Sequence, residues 1–127
     1  MKKLFIAIPI VFMICLGCAT APTQQEIDKA DYGEYPSDYQ AIIMTYLQND
    51  PYSLMDLRMS KPRKCWTEFK EGFVYGYLVY VSYNAKNRYG GYTGQKEEFA
   101  FIRKNRVEMM VSYSIALRFY HVVENVP

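Results

Sequence analysis

Apolar residues recur along one stretch of the chain with the spacing of a helix. Between Tyr39 and Leu47 they fall at intervals of three and four residues, which places them on one helical face. Ser37 and Gln40 form a capping box at the start of this stretch. Pro51 stops it, because the residue before a proline avoids helical geometry. The pattern therefore predicts one N-terminal helix.

The segments that follow alternate apolar and polar residues with the period of a strand. They are Leu54–Met59, Phe73–Asn84, Glu98–Lys104 and Val107–Val111. The odd-numbered residues from Tyr75 to Tyr83 are all large and apolar, so we expect that face of the long strand to cover the helix. The even-numbered face is mixed, and we expect it to be partly exposed to water. Residues 112–123 fit either a helix or a strand, and a helix is favoured.

These elements indicate an α+β fold, in which one N-terminal helix packs on a three- to four-stranded antiparallel sheet, with a C-terminal helix as an option. Leu54–Met59 is the edge strand, since Lys61-Pro62 interrupts the chain directly after it. Lys104-Asn105-Arg106 forms a tight turn between the last two strands. A chain of 127 residues has room for a single domain, which we place at residues 36–127.

The first 17 residues have the organisation of a secretory signal peptide. A basic start at Lys2 and Lys3 precedes an apolar run from Leu4 to Leu16. A run of this length is too short to span a bilayer as a helix, which needs about 20 residues. Residues 18–35 lack a hydrophobic period, and we expect them to form an extended tether between the membrane and the domain.

The end of this segment, Gly17-Cys18, resembles a bacterial lipobox, although Cys15 and Leu16 stand where such boxes carry leucine and a small residue. The resemblance implies that Cys18 is diacylated, becomes the mature N-terminus and anchors the protein to a membrane of the cell envelope. Two alternatives stay open. Ordinary cleavage after Ala21 is disfavoured by the proline that follows, and an uncleaved anchor is disfavoured by the short apolar run.

The charges are unevenly distributed along the part of the chain that follows the signal peptide. Residues 26–56 carry seven acidic residues and one basic residue, whereas residues 57–127 carry 12 basic and six acidic residues. Either the two halves pack together and neutralise each other, which is favoured, or the second half presents an anion-binding face. A net charge of +2 over the whole chain argues against a nucleic-acid partner.

Two segments resemble a group of small bacterial lipoproteins and secreted domains for which no activity is established. They are Asp50-Pro51-Tyr52-Ser53, directly after the helix, and Tyr80–Gly94, which contains an Asn-Ala-x-Asn-x-Tyr-Gly-Gly sequence. The resemblance covers roughly residues 30–107, departs at Arg88, where the group has serine, and does not include the C-terminal segment. It implies an α+β domain in the cell envelope and no particular activity.

Few residues offer the chemistry of an active site. No serine lies in a nucleophile-elbow sequence, and the acidic pairs Glu68/Glu71 and Glu97/Glu98 are typical of solvated surfaces. One histidine and three cysteines, two of them at the processed terminus, do not supply a zinc site. We therefore predict no enzymatic activity, no cofactor and no metal.

Two further residues have potentially reactive side chains, but a structural role is favoured for both. His121 stands between an aromatic and an apolar residue near the end of the chain, where a surface or packing role is favoured. Cys65 is the thiol that processing leaves unmodified. Burial beside Trp66 is favoured over an intermolecular disulfide.

The segment Asn84–Lys96 is the candidate for recognition, and we expect it to be a 13-residue loop. Its glycines allow close approach of the backbone, while its amide and aromatic side chains suit a sugar or a peptide. The candidate ligand-binding residues are Asn84, Asn87, Tyr89 and Tyr92. Alternatively, the asparagines and glycines only make the connection and the tyrosines cap the sheet.

The sequence therefore favours a membrane-anchored envelope lipoprotein that binds an envelope component, either an envelope protein or peptidoglycan. A second hypothesis is a membrane-tethered inhibitor or exclusion factor that acts on a protein partner, since anchoring raises its local concentration. A hydrolase is the least favoured alternative.

Overall fold

The computed structural model describes residues 21–48, 54–70 and 72–123, and within them the chain forms three helices and one six-stranded sheet. In chain order the elements are α1 (Gln24–Lys29), α2 (Tyr39–Gln48), β1 (Leu54–Met59), β2 (Arg63–Phe69), β3 (Gly72–Lys86), β4 (Tyr92–Arg103), β5 (Arg106–Ser112), α3 (Tyr113–Phe119) and β6 (Tyr120–Val122). The fold is α+β, as the alternation of helical and strand patterns predicts.

The long strand β3 organises the sheet, whose order is β5-β4-β3-β2-β6 with all neighbours antiparallel. One edge of β3 is shared by two strands, because β2 pairs with Gly72–Leu78 and β1 pairs with Val81–Ala85. Ser60 joins the two pairings: its N–H donates to the carbonyl of Tyr80 at 2.9 Å and its Oγ accepts from the N–H of Tyr80 at 2.9 Å. The six strands exceed the three or four that we predicted.

The odd-numbered face of β3 carries the main core. Val79 and Val81 are completely buried there, in one cluster with Ile43 and Leu47 of α2. The expectation that this face packs against helical residues is confirmed. Full burial of a valine or isoleucine side chain contributes about 1.5–3 kcal/mol, so this cluster is the principal source of stability.

The segment before α2 differs from the prediction of one N-terminal helix behind an extended tether. Thr23 and Glu26 form a capping box that starts α1, with the Thr23 N–H donating to Glu26 Oε2 at 2.7 Å. Tyr32 is 7% exposed and packs edge-on against Tyr75, with ring centroids 5.5 Å apart. Both predictions are therefore wrong for residues 23–35. The helix could not be predicted from hydrophobic periodicity, because α1 buries no side chain of its own.

The even-numbered face of the sheet carries a second, smaller core instead of the partly wetted surface that we expected. Cys65, Leu78 and Phe101 are buried in it, and α3 packs on the neighbouring β4 and β5. Gly76 makes this packing feasible, because a Cβ there would lie 2.9 Å from Cε2 of Phe101. The absence of a side chain lets the phenylalanine ring lie directly on β3.

Two strands have no counterpart in the predicted elements. In β2 the inward-facing Cys65 and Thr67 are small or polar, so the alternation of hydrophobicity is weak although both are buried. The strand β6 has only three residues and follows α3 directly. Residues 112–123 therefore contain first a helix and then a strand, the two structures that the sequence left open. The predicted turn between β4 and β5 is confirmed: Lys104 and Asn105 have φ of 50° and 57°, as a two-residue hairpin turn requires.

The sheet has two distinct ends. We call the end with the β2–β3 and β4–β5 turns the base, and the β3–β4 turn at Asn87–Gly91 the tip. Tyr75, near the base, and Lys86, near the tip, are eleven residues apart in β3. At about 3.3 Å per residue they are separated by roughly 35 Å. The segment that leads into α2 packs at the base half, where Tyr32 meets Tyr75.

Candidate recognition site at the hairpin tip

The segment that we expected to be a 13-residue loop is mostly paired backbone. The β3–β4 ladder continues through Asn84↔Gln95 to Lys86↔Tyr92, with an irregularity between its last two pairs. The sequence does not predict these backbone pairs, because Gln95 and Lys96 interrupt any apolar alternation. The loop prediction is therefore wrong, and what remains is a short turn at the end of the β3–β4 hairpin. We call its last paired residues, 83–86 and 92–96, the arm; β1 pairs with the same stretch of β3 as far as Ala85.

Asn87 builds this turn. Its Oδ1 accepts hydrogen bonds from the N–H groups of Tyr89 and Gly91, both at 3.0 Å. Its backbone N–H donates to the Gly91 carbonyl at 2.7 Å, and its carbonyl accepts from the Gly90 N–H at 2.9 Å. Gly90 has a φ of +84°, which glycine adopts without strain. The Asn87 side chain thus holds the turn in shape, and its oxygen is already engaged.

Tyr89 is the side chain that the turn presents to solvent. It is 83% exposed, more than any other large apolar or aromatic residue within the described ranges. The guanidinium carbon of Arg88 lies 5.0 Å from the centre of its ring, within cation–π distance. The tip therefore offers a flat aromatic surface with a positive charge beside it.

Two lysines also lie near tyrosine rings below the tip, but only Tyr92 is open to solvent, because Tyr83 belongs to the core. Lys86 Nζ lies 5.1 Å from the ring centre of Tyr92, and Lys96 Nζ lies 5.9 Å from that of Tyr83. We identified Tyr89 and Tyr92 from the sequence as candidates but missed the bases beside them. The signal was present as the run of lysine, arginine and tyrosine between residues 86 and 96.

Tyr92 has a mixed position. Its ring is 48% exposed, and its hydroxyl contacts the sulfur of Met55 in β1. The next residue, Thr93, donates from Oγ1 to the Ala85 carbonyl at 3.0 Å across the arm. Tyr92 thus joins β1 to the arm and also extends the aromatic surface below Tyr89.

Asn84 does not belong to the tip. It lies inside β3, between Met55 of β1 and Gln95 of β4 in register. Its Oδ1 is buried and accepts no hydrogen bond from any described residue. The structure therefore brings Asn87, Tyr89 and Tyr92 together and leaves Asn84 three residues back along the strand.

The other residues with potentially reactive side chains, His121 and Cys65, are engaged in packing. His121 stacks on Trp66, with ring centroids 4.1 Å apart. Cys65 is a free, completely buried thiol, as we predicted, and burial raises its pKa to about 12. A thiol with so high a pKa is a poor nucleophile at neutral pH.

The acidic pair Glu97/Glu98 accepts hydrogen bonds from two tyrosines. Tyr80 donates its hydroxyl to Glu97 and Tyr83 donates to Glu98, both at 2.6 Å. The bond to Glu97 holds the pKa of Tyr80 above its usual value. Of the other acidic pair, Glu68 is exposed on β2 and Glu71 lies outside the described residues.

The described ranges contain no group of three histidine, cysteine or acidic side chains that is placed to hold a metal ion. No helix in residues 21–48, 54–70 or 72–123 has the length and hydrophobicity needed to cross a membrane. The predicted lipidation site, Cys18, lies outside these ranges. Searches against protein-family models, curated proteins and solved structures give no match to this chain.

Proposed function

We propose that this protein is a lipid-anchored, non-enzymatic binding domain of the bacterial cell envelope, and that its hairpin tip binds peptidoglycan. The observation that carries the proposal is the combination of an exposed ring and an adjacent cation at the tip, Tyr89 with Arg88. Sugar rings stack on aromatic faces, and the free carboxylates of the stem peptides of peptidoglycan attract cations.

The arm extends this complementarity to a strand-like ligand. Lys86 beside the half-exposed ring of Tyr92 repeats the pairing of base and ring below the tip. Lys96 adds a further positive charge, although the ring of Tyr83 beside it is buried. A polymer that alternates sugar faces and carboxylates has matching groups along its length. This surface also provides a role for part of the positive charge carried by residues 57–127.

The position of the tip suits a protein that is held at a membrane. Tyr32, in the described segment before α2, packs on Tyr75 near the base. The tip lies roughly 35 Å away along β3. An anchor at Cys18 would therefore direct the base towards the bilayer and leave the tip free to contact the cell wall.

The non-enzymatic part of the proposal is supported by the side chains that are available. Glu97 and Glu98 accept hydrogen bonds from tyrosines, His121 stacks on Trp66, and Cys65 is buried. Each of these groups has a structural partner or no access to solvent. None of them lies at the tip.

A membrane-tethered inhibitor or exclusion factor remains the second candidate, and the single highly exposed ring at the tip favours it. A single exposed ring on a turn that Asn87 holds in shape suits insertion into a cleft of a protein partner. Anchoring to the same membrane would raise the effective concentration of such an inhibitor.

Photo-crosslinking in intact cells separates the two candidates. The full chain carries p-benzoylphenylalanine in place of Tyr89, and a control carries it in place of Tyr46, which is 42% exposed on α2. Peptidoglycan binding predicts an adduct at position 89 that muramidase digestion shortens and that is absent from the control. An adduct of fixed mass that resists muramidase and is degraded by proteinase would replace the first candidate with the second.

A further inference from the structure

The base of the sheet contains an open groove, because its two turns end at different levels. β2 pairs with β3 from Gly72 onward, whereas β4 begins to pair with β3 only at Tyr77. The step leaves a cavity of about 490 Å³ on the even-numbered face. Its apolar lining includes Phe69, Val74 and Met109.

Large apolar side chains at this groove remain accessible to water. Phe69 is 55% exposed and Met109 is 44% exposed, and Phe119, next to the groove residue Tyr120, is 52% exposed. Single exposed apolar residues are normal on protein surfaces, but a group of them around a concave site marks an interaction surface.

The groove is also basic. Arg103 and Arg106 line it, and Lys104 lies in the turn between them. Glu108 is the acidic residue of the lining and pairs with Arg103 at 3.5 Å. No carboxylate among the described residues is within ion-pair distance of Arg106. This part of the surface therefore carries a net positive charge.

Two nearby acidic residues do not reverse this balance. Glu68 stands opposite Phe73 in register, which places it on the odd-numbered face, away from the groove. Glu71 is the sequence neighbour of Lys70, so that turn adds no net charge to the base. The positive charge comes from the β4–β5 turn.

The length of chain between the anchor and the fold limits where the base can lie. Pro22 is buried, and it lies four positions after Cys18 along the chain. Four residues reach at most about 14 Å. If Cys18 carries the lipid, as the proposed function assumes, the folded domain begins within that distance of the bilayer and has little freedom to move away.

We propose that the base docks on the surface of an anionic phospholipid bilayer. Phe69 and Met109 enter the interfacial region, and Arg103 and Arg106 contact the lipid phosphates. Apolar side chains rimmed by bases are the usual composition of a surface that lies in the membrane interface. The docked orientation fixes the tip on the side away from the lipid, which a flexible tether would not do.

Quenching by brominated lipid tests this docking on the full lipidated chain. The chain is reconstituted in vesicles of phosphatidylglycerol and brominated phosphatidylcholine, with Trp66→Phe removing the single native tryptophan. Phe69→Trp reports the base, and Tyr92→Trp, at a position 48% exposed, reports the tip. Docking predicts strong quenching at position 69 and weak quenching at position 92.

Two further variants make the result specific to the proposed contacts. Met109→Trp serves as a second base reporter in case Phe69→Trp alters the β2–β3 turn. Arg103→Gln with Arg106→Gln should lower the docked-to-undocked ratio by about fivefold for each arginine that is removed. The same loss is expected when phosphatidylglycerol is omitted from the vesicles.

The outcomes separate docking from the anchor on which it rests. Mass spectrometry of each sample shows whether Cys18 is diacylated. Equal quenching at base and tip in a diacylated chain overturns the docking and leaves the anchor intact. The tryptophan at the base could instead be shielded from water yet not be quenched by brominated lipid, while the protein has twice the mass of a single chain. That result would assign the groove to a second copy of the chain and would also overturn the docking. Quenching at position 69 without lipid on Cys18 supports docking and contradicts the anchor.

Discussion

Gly76 shows how one missing side chain determines the packing of a whole face. A Cβ at this position would lie 2.7 Å from Cγ of Arg103 and 2.8 Å from the carbonyl oxygen of Ile102. The second contact involves backbone, which cannot move without disturbing the β3–β4 ladder. We expect Gly76→Ala to lower the free energy of unfolding by about 1–3 kcal/mol, measured by urea denaturation.

The matched control for this change is Gly91→Ala in the turn. A Cβ on Gly91 would lie 3.5 Å from the Asn87 amide, an ordinary contact distance. Its effect should be within about 0.5 kcal/mol. Equal losses in the two variants would contradict a special role for the close approach of β4 to Gly76.

Burial of Cys65 makes the free energy of unfolding depend on pH in the alkaline range. Its pKa is about 12 in the folded protein, above the ordinary value of 9.0, because burial disfavours the thiolate. Above pH 9 the unfolded chain loses this proton while the folded chain retains it, so the free energy of unfolding should fall between pH 9 and 12. The decline should be smaller in Cys65→Ala, as measured by urea denaturation at several pH values.

Tyr32 and Tyr77 contribute to the same decline, because burial raises the pKa of both. Cys65→Ala should therefore flatten the alkaline profile without abolishing it. Identical pH profiles of the variant and the parent would show that the thiol is accessible to water in the folded protein. Alkylation of Cys65 at pH 8 without denaturant would lead to the same conclusion.

At the scale of elements, the helix α2 covers the odd-numbered face of the sheet. Ile43 is completely buried against the odd-numbered face of β3. A carboxylate at this position would have no partner, and its desolvation costs several kcal/mol, as much as the whole stability of many small domains. We expect Ile43→Asp to abolish the cooperative thermal transition.

Lys29→Asp provides the comparison, since Lys29 is exposed in the last turn of α1. It should melt close to the parent protein, with a small loss from the unfavourable charge at a helix C-terminus. A melting curve of Ile43→Asp that matches the parent would show that α2 does not pack on the sheet.

Elements whose inward residues are uniformly apolar were predictable from the sequence, and elements without that pattern were not. β3 alternates over its whole central part, and its face towards α2 was predicted correctly, whereas its even-numbered face carries a second core that was not predicted. α1 has no buried residue, β2 faces inward through Cys65 and Thr67, and β6 is three residues long. These three elements depend on caps and on pairing with distant strands, which leave no periodic signal in the sequence.

The candidate site was predicted in part for the same reason. Tyr89 and Asn87 were identified, because exposed aromatic and turn-forming residue types are conspicuous in a polar segment. The pairing that converts the loop into an arm runs between polar residues and could not be seen. Asn84 was included because it is close in sequence, although the ladder places it away from the tip.

At the scale of the whole molecule, the proposed orientation depends on a lipid anchor at Cys18. We expect Cys18→Ser to release the protein from the membrane fraction or to leave it as an unprocessed precursor, because the lipid is attached to this sulfur. Fractionation and intact mass measure both outcomes. A processed Cys18→Ser protein that stays with the membrane in high salt would contradict the anchor.

The central claim is that the hairpin tip recognises a ligand and is not merely a structural connection. The most direct measurement pairs melting temperature with affinity for purified peptidoglycan sacculi, on the parent, Tyr89→Ala and the control Tyr46→Ala. Because Tyr89 is 83% exposed, its removal should leave the melting temperature unchanged. Loss of an aromatic anchor worth about 1–3 kcal/mol should weaken binding by about five- to 150-fold, and Tyr46→Ala should bind like the parent. A lowered melting temperature with unchanged affinity per folded molecule would show that Tyr89 serves the fold, and would contradict the claim.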